Sequence, residues 1–537
     1  MNNSLKFKAS ALFMSLCIAT AAITGCSNSL REDDDLLDAN TGTTAAEERQ
    51  GTVEDISLSV TGAAIKSSEG GEAVVFDDLP AVLFKATKEQ NNPLITNIFC
   101  ADPTAVEYNG RLYVYGTNDN QQYLEKGDSD NTYERIKSFI IISTDDMANW
   151  RYEGEINTAE IAPWIYASWA PSVVSRIESD GLTHFYLYFS NSGAGVGVLT
   201  ATSPTGPWSD PLGKPLIYAG MNGLENCPNP FDPGVCIDSD GTGWLSFGGG
   251  KASDGTDYMP GVARICRLGE DMISVDSEFA EIPAPYFFEA SDLNFINGTF
   301  VYTYNTSWET RTEWNWDSGI SPPPACSMCY MTSRTPLDTK SWAYQDYYLK
   351  NPGELGLEYS NNHSHLEKFN GKYYLFFHTM ILQKELGINH GFRSLCAFET
   401  AVNEETVFIG QCFATAKGTE QIKNFDPYCV NQTETANLSD CNYRYDDGTI
   451  YAQCSGLNVI GIKGVDFGSG SSIFAAKVRG KGNIEVRLDS VENAPDTILS
   501  FDCDEWSAVY ENTDTEGSHD IFFVLNGEFD FDEWQFI

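Results

Sequence analysis

The chain has 537 residues, of which 42% are hydrophobic and 13% aromatic, and its formal net charge is −43. This length predicts two or three domains with sizeable cores, and the aromatic content suits stacking on sugar rings. The acidic balance excludes nucleic acid and an anionic membrane surface as partners bound through charge, because both require basic patches. Neutral polymers remain as partners.

The N-terminus is typical of an exported lipoprotein. Lys6 and Lys8 precede an uncharged run, ASALFMSLCIATAAITG, which is too short for a comfortable membrane span and predicts a signal-peptide core. The run ends at Cys26 in a sequence that resembles a bacterial lipobox, with a coincidental cysteine as the alternative. We predict a signal peptide over 1–26, an acidic flexible tether over 27–78, and a location at the cell surface or outer membrane through the lipid.

The cysteines leave several interpretations open. Removing Cys17 with the signal and assigning Cys26 to the lipid leaves 14 − 2 = 12 cysteines, an even number compatible with disulfides of unknown pairing. Cys326-x-x-Cys329 resembles half a zinc site or a redox pair, but no second CxxC or His pair accompanies it. A local structural role is therefore favoured.

One pattern recurs five times between about residues 92 and 415, where a turn with Gly leads into an aromatic, alternating strand. The five copies are NGRLYVYG (109–116), GLTHFYLYF (181–189), GTGWLSFG (241–248), NGTFVYTY (297–304) and NGKYYLFFH (370–378). A second strand type, followed by a turn and a Trp, lies between them in IIISTDDMANW (140–150), VLTATSPTGPW (198–208) and CYMTSRTPLDTKSW (329–342). Repeats of this length with about four strands each predict an all-β fold with a five-bladed β-propeller over 79–421. An irregular sandwich of common hairpins is the alternative.

The same repeat aligns three carboxylates. Asp102, Asp232 and Glu289 lie 8 or 9 residues before the turn glycine of their copies, and His363 and Ser172 lie at those offsets in the other two. Equivalent offsets place side chains at the same end of equivalent strands, around the central axis if those strands are innermost. Three carboxylates from three blades would then share one cleft, although with 76 acidic residues a single match carries little weight.

Such a set of carboxylates suits glycoside hydrolysis. One carboxylate activates water and a second protonates the leaving oxygen, and inverting enzymes hold the two apart to admit water and sugar. An acid must keep its proton near neutral pH, and Glu289 follows Phe287 and Phe288. Desolvation and nearby carboxylates are expected to raise its pKa, and a third carboxylate would tune it.

Several segments resemble glycoside hydrolase family 43, a family of five-bladed propellers, and most of all its arabinoxylan arabinofuranohydrolases. They are ADPTAVEYNGRLYVYGTND, SWAPSVV, GVGVLTATSPTGPWSDPLGKPLI, FDPGVCIDSDGTGWLSFGGG, FFEASDLNFINGTFVYTYN and NNHSHLEKFNGKYYLFFHT…GFRS, in collinear order over roughly 92–415. The resemblance implies release of arabinofuranose side chains from xylan with inversion. It implies that Asp102 is the general base, Glu289 the general acid and Asp232 the carboxylate that modulates the acid's pKa.

The resemblance also implies binding residues. Trp169 and Arg393 would contact substrate, Arg393 by forking onto sugar hydroxyls. His363 matches a histidine that helps hold a cation at the propeller centre, and calcium's preference for oxygen favours a water-mediated role; a simple core histidine is the alternative. The chain departs from the family at Asp292-Leu293-Asn294, where basic or His residues are usual, and in its longer loop over 305–331. Trp308, Trp314 and Trp316 in that loop form either a platform for a xylan chain or packing against the propeller.

Residues 422–537 resemble a family 6 carbohydrate-binding module, a β-sandwich of the jelly-roll type. The resemblance implies a structural calcium site, with Gln432, Glu434 and Asp532 as candidate ligands and Gln432 at a position where an acid is usual. Sugar contacts are weakly indicated, and a module that serves only as a structural partner is the alternative. The candidate contacts are Tyr443, Tyr445 and Trp506, and the cysteines that could staple the module are Cys429, Cys441, Cys454 and Cys503.

Taken together, the sequence predicts a monomeric, lipid-anchored, inverting glycosidase that releases L-arabinofuranose from arabinoxylan and needs no cofactor for its chemistry. The alternatives among enzymes are a β-xylosidase and an arabinan-directed arabinofuranosidase, because the same carboxylates suit all three. The alternative of another class is a surface glycan-binding lipoprotein whose propeller has lost catalysis. Retention of all three carboxylates argues against it.

Overall fold

The structure, a computed structural model, describes residues 51–537 apart from 69, 70, 72, 75–79, 128, 317 and 318. Cys26 and the predicted signal peptide lie outside the described residues. No helix within the described ranges is long and apolar enough to cross a membrane. The short α-helices are Phe84–Thr87, Asp119–Lys126, Thr158–Ile161 and Ile381–Glu385, and the 3-10 turns are Val53–Asp55, Ala81–Leu83, Ser192–Ala194, Thr339–Ser341 and Pro352–Leu355.

Five antiparallel sheets follow one another along the chain as the blades of a propeller, which confirms the predicted fold. Blade 1 contains Ala101–Tyr108, Arg111–Thr117, Phe139–Thr144 and Trp150–Ile156, and blade 2 contains Trp169–Ile177, Thr183–Ser190, Gly195–Ala201 and Ile217–Tyr218. Blade 3 contains Gly234–Ile237, Gly243–Phe247, Arg264–Arg267 and Ala280–Glu281, and blade 4 contains Phe287–Ile296, Thr299–Thr306, Met328–Ser333 and Ala343–Leu349. Blade 5 contains Ser364–Phe369, Lys372–Thr379 and Ser394–Thr400, followed by the small hairpin Val402–Asn403 and Phe408–Ile409. The first strands of neighbouring blades pack on one another around the axis.

The repeated turns are tight hairpins between the first and second strands of their blades. In the copies at Asn109-Gly110, Asn297-Gly298 and Asn370-Gly371, both turn residues have positive φ, from 47° to 77°. This is the conformation of a type I′ turn, which Asn-Gly favours and which matches the twist of the flanking strands. The turn therefore fixes the register of each inner hairpin, and with it the height of every side chain along the axis.

Five hydrophobic clusters fill the five gaps between adjacent blades, including the gap that closes the ring. Leu187 of blade 2 packs with Ile141 of blade 1, for example, and Phe376 of blade 5 packs with Leu112 of blade 1. The predicted turn-and-Trp signatures place Trp150, Trp208 and Trp342 in these gaps, each at most 9% exposed. The ring is thus closed by burial of apolar surface on both faces of every blade.

The C-terminal region forms one eight-stranded sheet with its own core, in agreement with a β-sandwich. Its long strands are Thr449–Asp466, Ser471–Leu488, Thr497–Thr515 and Ser518–Phe536, and its short ones are Ile65–Lys66, Asn431–Gln432, Leu438–Ser439 and Asn442–Asp446. Phe474, Phe523 and Trp534 are buried in that core, where the ring of Phe523 contacts the other two.

Two segments cross the predicted domain boundaries. Thr435–Ala436 pairs with Trp150 and Arg151 as a fifth strand of blade 1, so the C-terminal region completes the propeller. Ile65–Lys66 pairs in parallel with Val509 and Tyr510, and Leu58 is buried against the same sheet. Residues 51–68, predicted as part of a flexible tether, instead lie against the C-terminal sheet, because Ile65 and Lys66 pair with its outer strand and the apolar Ile56, Leu58 and Val60 pack on it.

Candidate active site

A small pocket at the mouth of the propeller brings together six of the predicted site residues. Its volume is about 120 Å³, and its walls are Asp102, Tyr133, Trp169, Phe231, Asp232, Glu289, Asn361, Asn362, His363 and Arg393. The three carboxylates come from blades 1, 3 and 4, as their shared offset from the turn glycines predicts. Trp308, Trp314 and Trp316 are not among the lining residues.

Unusual backbone conformations position these side chains. Asp102, Ala170, Asp232 and Ala290 stand at corresponding places in four blades, and all have φ between 41° and 60°. Non-glycine residues adopt this left-handed region at a cost of about 1–3 kcal/mol each, and such strain concentrates at functional sites. A bulge in the first strand accompanies three of the four, and it turns the chain so that acidic side chains point across the axis.

Each of these strained residues is held by the blade before it. The N–H of Asp102 donates to His378 Nδ1 (3.2 Å), and the N–H of Asp232 donates to Ser190 Oγ (2.7 Å). The N–H of Ala170 donates in the same way to Thr117 Oγ1 (2.8 Å). These acceptors stand where the second strand of the preceding blade ends, so neighbouring blades fix one another's site residues.

Asp102 lies among cationic and imidazole groups. Arg393 Nη1 donates to its Oδ1 at 2.8 Å, and Nδ1 atoms of His378 and His363 lie 3.3 and 3.6 Å from the same oxygen. Burial is the largest single influence and would raise the pKa of Asp102, but the Arg393 guanidinium, His378 and His363 together outweigh it and hold that pKa well below its usual range. Asp102 is therefore ionised at neutral pH.

Arg393 is oriented by a carboxylate that the sequence analysis missed. Asp119, fully buried at the start of the helix Asp119–Lys126, accepts from Arg393 Nε (2.9 Å) and Nη2 (2.8 Å). This bidentate geometry uses the planar fork of the guanidinium, so the fork predicted to grip sugar hydroxyls faces Asp119 instead. Arg393 acts on Asp102 through its remaining Nη1.

Glu289 and Asp232 lie in surroundings that favour the protonated carboxyl group. Burial, followed by the charges of Asp232 and Asp102, raises the pKa of Glu289 well above its usual range. Burial and the Asp102 charge also raise the pKa of Asp232. Asp232 Oδ2 accepts from the N–H of Ala290 (2.8 Å) and Oδ1 from Ser190 Oγ (3.2 Å), so Asp232 is anchored directly beside the acid. The raised pKa of Glu289 agrees with the prediction. However, the neighbouring Phe288 is a surface side chain, 37% exposed. The walls of the pocket, and not the ring of Phe288, therefore bury Glu289.

His363 lines the pocket as a buried imidazole. Burial is the main reason that its pKa falls to about 4, so its ring is neutral at physiological pH. Next to it, both side-chain polar atoms of Asn362 are buried without a hydrogen-bond partner. Among the described residues, no cluster of three or more His, Cys, Asp or Glu side chains is arranged to bind a metal ion.

The three loop tryptophans separate into two roles. Trp314 donates Nε1 to the carbonyl of Ile320 (2.7 Å) and packs edge-on to Tyr344, which also contacts Trp316. Trp308 instead lies on the surface beside Tyr359, with ring centroids 5.4 Å apart. Two of the predicted platform residues thus pack the loop, and one faces solvent.

Asp292, in the segment that departs from the family pattern, forms a second buried ionic cluster. Its Oδ2 lies 3.1 Å from Nδ1 of His365, whose Nε2 lies 3.3 Å from Glu367. Burial opposes protonation of His365, but the two carboxylates raise its pKa to about 10. These residues do not line the pocket, so the departure changes the propeller interior and not the walls around Glu289.

The residues predicted to bind calcium or sugar in the C-terminal region also differ from one another in their surroundings. Glu434 and Asp532 are both buried, and burial is the largest cause that raises the pKa of Glu434 to about 8. Tyr443 stacks on Tyr152 of blade 1 with centroids 5.3 Å apart, so it joins the two regions rather than facing a sugar. The ring of Trp506 is covered by the guanidinium of Arg479, 4.7 Å from its centroid, which leaves Tyr445 as the exposed candidate.

All twelve described cysteines are free thiols, including Cys326 and Cys329. Cys326 Sγ accepts from Asn351 Nδ2 at 3.2 Å, and Cys329 belongs to the core between blades 3 and 4. The local structural role favoured for this pair agrees with that packing.

Comparison with known proteins assigns the class. Residues 90–397 match the model of glycosyl hydrolases family 43. The chain is 34% identical over 486 residues to an arabinoxylan arabinofuranohydrolase of Bacillus subtilis, which covers 83% of this chain and 92% of the relative. A second enzyme of that name, from Paenibacillus polymyxa, is 33% identical to this chain, and the match covers 83% of this chain and 74% of the relative.

A solved structure extends the similarity to three dimensions. The crystal structure of a family 43 arabinoxylan arabinofuranohydrolase from Bacillus subtilis, in complex with cellotetraose, superposes with a TM-score of 0.75 at 34% identity. The match covers 83% of this chain and 97% of that one, so it includes residues beyond the propeller. The chain belongs to glycosyl hydrolase family 43 and is a glycosidase.

Proposed function

We propose that this glycosidase removes α-L-arabinofuranosyl side chains from arabinoxylan with inversion. The observation that carries the proposal is a pair of carboxylates with opposite protonation in one pocket. Asp102 is ionised beside Arg393, and Glu289 keeps its proton because of burial and the neighbouring carboxylates. An inverting glycosidase needs such a base and acid. The names of the two relatives support arabinoxylan as the substrate.

The size of the pocket favours removal of single side-chain sugars. At about 120 Å³ it is well below the roughly 300–1,000 Å³ of ordinary ligand pockets, so it suits one small sugar unit. A polymer main chain would then remain outside, with its branch inserted. This supports cleavage at a branch over cleavage within the main chain.

In the proposed reaction, a water held by Asp102 attacks the anomeric carbon of the arabinofuranosyl unit. Asp102 accepts a proton from that water while the bond between the anomeric carbon and the main-chain oxygen breaks. Glu289 gives its proton to the departing oxygen. Asp232 keeps Glu289 protonated by its charge and fixes its position through the N–H of Ala290. The chemistry needs no cofactor.

A product assay tests this proposal directly. The chain lacking residues 1–26 is incubated with arabinoxylan, debranched arabinan and xylo-oligosaccharides, with the Glu289→Gln variant as the catalytic control, and released sugars are identified. Arabinose from arabinoxylan alone is the expected result. Xylose would indicate a β-xylosidase and arabinose from arabinan an arabinan-directed enzyme, and either would overturn the substrate. No product with intact polymer binding would favour the glycan-binding alternative.

We also propose that calcium binds weakly in the C-terminal region at Glu434 and Asp532, with Gln432 as a neutral ligand. Glu434 Oε2 and Asp532 Oδ1 are buried without hydrogen-bond partners, and such oxygens suit calcium. The ammonium of Lys477, 2.6 Å from Asp532 Oδ2, competes for the same charge. Calcium should therefore raise the melting temperature of wild type slightly and that of Lys477→Met more; equal responses would contradict the site.

At the propeller centre, we propose a water-mediated calcium near His363. The neutral imidazole and the unpartnered side chain of Asn362 could hold the ion's water shell. Removal of the ion with a chelator should weaken substrate binding, and Asn362→Ala should abolish that sensitivity. Activity that is insensitive to chelator in wild type would contradict this role.

Finally, we propose that the protein is exported and anchored through a lipid on Cys26. The lipobox-like end of the signal sequence supports the anchor. Labelling of cells with a radioactive fatty acid should mark the wild-type chain and not Cys26→Ser. A labelled variant, or an unlabelled wild type, would overturn the anchor.

A further inference from the structure

Two buried cysteines of the C-terminal region stand opposite one another across a hairpin. The hairpin begins with the pair Asn442 and Gln453, so the position before this pair places Cys441 opposite Cys454. Both cysteine side chains are 1% exposed and belong to the same core cluster. Both are thiols in the structure.

The turn of this hairpin determines how the two cysteines face each other. Asp447 and Gly448 have φ of 47° and 86°, the conformation of a two-residue type I′ turn. The flanking Asp446 and Thr449 are paired, and in such a turn they form a hydrogen-bonded pair. Hydrogen-bonded and non-hydrogen-bonded pairs alternate outward from there. The two cysteines lie five pairs further out, and an odd number of steps makes them a non-hydrogen-bonded pair.

The backbone hydrogen bonds of Cys441 agree with this pairing. Its N–H donates to Ser439 Oγ (3.2 Å), and its carbonyl accepts from Asn97 Nδ2 (2.8 Å), so both groups bond elsewhere than to Cys454. Non-hydrogen-bonded pairs bring Cα atoms to about 4.5 Å and their side chains close together. A disulfide requires Cα atoms about 4.4–6.8 Å apart, so this position suits one.

In the strand pairings of the described residues, no other two cysteines stand opposite one another. The other paired cysteines face residues of a different type, as Cys329 faces Tyr304, Cys396 faces Phe377 and Cys503 faces Gly480. The register therefore selects Cys441 and Cys454 among the four cysteines that could staple the C-terminal region.

We propose that Cys441 and Cys454 form a disulfide in the exported protein and so clamp the joint between the C-terminal region and the propeller. The inference rests on the proposed export, because disulfides form and persist in oxidising compartments. Tyr443, inside the closed loop, stacks on Tyr152 of blade 1, and Asn97, which holds the Cys441 carbonyl, lies just before blade 1. The bond would therefore hold the part of the C-terminal region that touches blade 1.

The bond forms by exchange with an oxidising disulfide, which is a protein disulfide in the exporting compartment and oxidised glutathione in vitro. The thiolate of Cys441 attacks this disulfide, which forms a mixed disulfide and releases one thiol. The thiolate of Cys454 then attacks Sγ of Cys441 and releases the second thiol. Two cysteine thiols are oxidised to one disulfide, and the oxidant takes up the two electrons and two protons as it becomes two thiols.

Burial determines when this exchange takes place. It raises the pKa of Cys454 to about 12 and the pKa of Cys441 well above its usual range. In the folded protein both thiols are therefore protonated and shielded, which makes them unreactive. The exchange must occur while the chain folds, and the finished bond is then protected from reductants.

Peptide mapping tests the pairing. The chain lacking residues 1–26 is refolded from urea with reduced and oxidised glutathione, its remaining thiols are alkylated, and it is digested with trypsin without reductant. Trypsin cleaves after Lys423, Arg444 and Lys463, so the proposed bond joins peptide 424–444 to peptide 445–463. Linked peptides that separate on reduction are the expected result.

Cys429→Ser is the matched control, because peptide 424–444 also contains Cys429, an exposed thiol. The linked peptides should persist in Cys429→Ser and disappear in Cys454→Ala. Alkylated Cys441 and Cys454 in refolded wild type would overturn the disulfide, and so would a link that Cys429→Ser abolishes.

The same mapping on wild type alkylated inside its cells separates this inference from the proposals on which it rests. Linked peptides from cells would support the bond in the exported protein. Thiols in cells, together with linked peptides after refolding, would support the pairing and overturn the proposed export. Arabinose release enters neither readout, so a failure of the proposed reaction would leave both conclusions in place.

Thermal unfolding tests the clamp. Oxidised wild type should melt about 5 °C above reduced wild type, the size expected when a short loop is closed in a large chain. The two forms have the same side chains, so no substitution disturbs the core. Oxidant should raise the melting temperature of Cys429→Ser as it does that of wild type, and leave that of Cys454→Ala unchanged. Equal melting of oxidised and reduced wild type would overturn the clamp.

Discussion

The two sides of the pocket shift the pKa values of their buried carboxylates in opposite directions. On the blade 1 side, Asp102 receives a donor from Arg393, whose charge is in turn held by Asp119. On the blade 3 and 4 side, Asp232 and Glu289 are buried close to one another. Among the described residues, no cation contacts either carboxyl group directly. One side therefore stabilises a charged carboxylate and the other a protonated one.

This difference shows how one fold supplies a base and an acid from the same type of side chain. Asp102 is itself the strained residue of blade 1, and Glu289 directly precedes the strained Ala290 of blade 4, so both stand at the same end of their first strands. The distinction comes from which partner stands behind each carboxylate, a guanidinium in one case and another carboxylate in the other. The proposed roles follow from these partners.

The largest effect should come from the acid side. Glu289→Gln keeps the size of the side chain but has no proton to donate, so kcat on arabinoxylan should fall by about 10³-fold, within the range of general acid catalysis. A 4-nitrophenyl arabinofuranoside, whose leaving group needs little protonation, should lose far less. Steady-state kinetics on both substrates measure the contrast.

Glu309→Gln provides the matched control, because Glu309 is an exposed carboxylate in the loop over 305–331 and does not line the pocket. It should retain wild-type rates on both substrates. Near-normal polymer hydrolysis by Glu289→Gln would remove Glu289 as the acid, and an equal loss on both substrates would point to a role other than proton donation.

The next largest effect should come from the base side, as a loss of stability. Arg393→Met leaves Asp119 and Asp102 buried without their cation, and breaking a buried pair in this way costs about 3–5 kcal/mol. The free energy of unfolding, measured in urea, should fall by that amount. Adding Asp119→Asn should recover part of the loss, because it removes one uncompensated charge.

The exposed Arg334→Met should leave the unfolding free energy unchanged. A fully stable Arg393→Met, or a double variant no better than the single one, would show that the Arg393–Asp119 pair does not carry the base side.

A smaller effect concerns the dependence of stability on pH. The folded pKa of Glu289 is raised, so its contribution to stability is complete at low pH and is lost as pH rises from the unfolded value of about 4.3 towards the folded value. For Asp102, whose folded pKa is lowered, the contribution is lost instead as pH falls below about 4. Between pH 5 and 7, wild type should therefore lose about 1.4 kcal/mol per pH unit relative to Glu289→Gln. The free energy of unfolding in urea is measured for both proteins across this range. If it changed with pH equally in the two, Glu289 would not be held protonated.

The sequence predicted the propeller and its carboxylates because both repeat. Asn-Gly turns set the register in blades 1, 4 and 5, and an offset of 8 or 9 residues before Gly110, Gly241 and Gly298 located the three acidic residues. Reading the same repeat forwards would have found His378, seven residues after Gly371, as Thr117 is seven after Gly110. That signal was present and was not used.

Other site residues left no such signal. Asp119 lies in a helix between strands, outside the repeat, and its role depends on Arg393 some 270 residues later. The packing of Trp314 and the exposure of Trp308 were equally hidden, because both belong to a loop without periodicity. The strand Thr435–Ala436 that completes blade 1 is too short to show a pattern. Long-range contacts of this kind decide the site's electrostatics, and single-sequence patterns do not encode them.

The smallest effect should distinguish the two carboxylates on the acid side. Asp232→Asn retains an oxygen that can accept from the N–H of Ala290 but removes a negative charge beside Glu289. Ionised Glu289 then meets less repulsion, so its pKa falls and fewer molecules hold the catalytic proton at neutral pH. The basic limb of the profile of kcat/KM against pH should move to lower pH by up to about one unit, while Glu309→Gln, at a screened exposed site, leaves it in place. A limb that stays at the wild-type position would mean that burial alone protonates Glu289, and the acid side would then differ from the base side only by lacking Arg393.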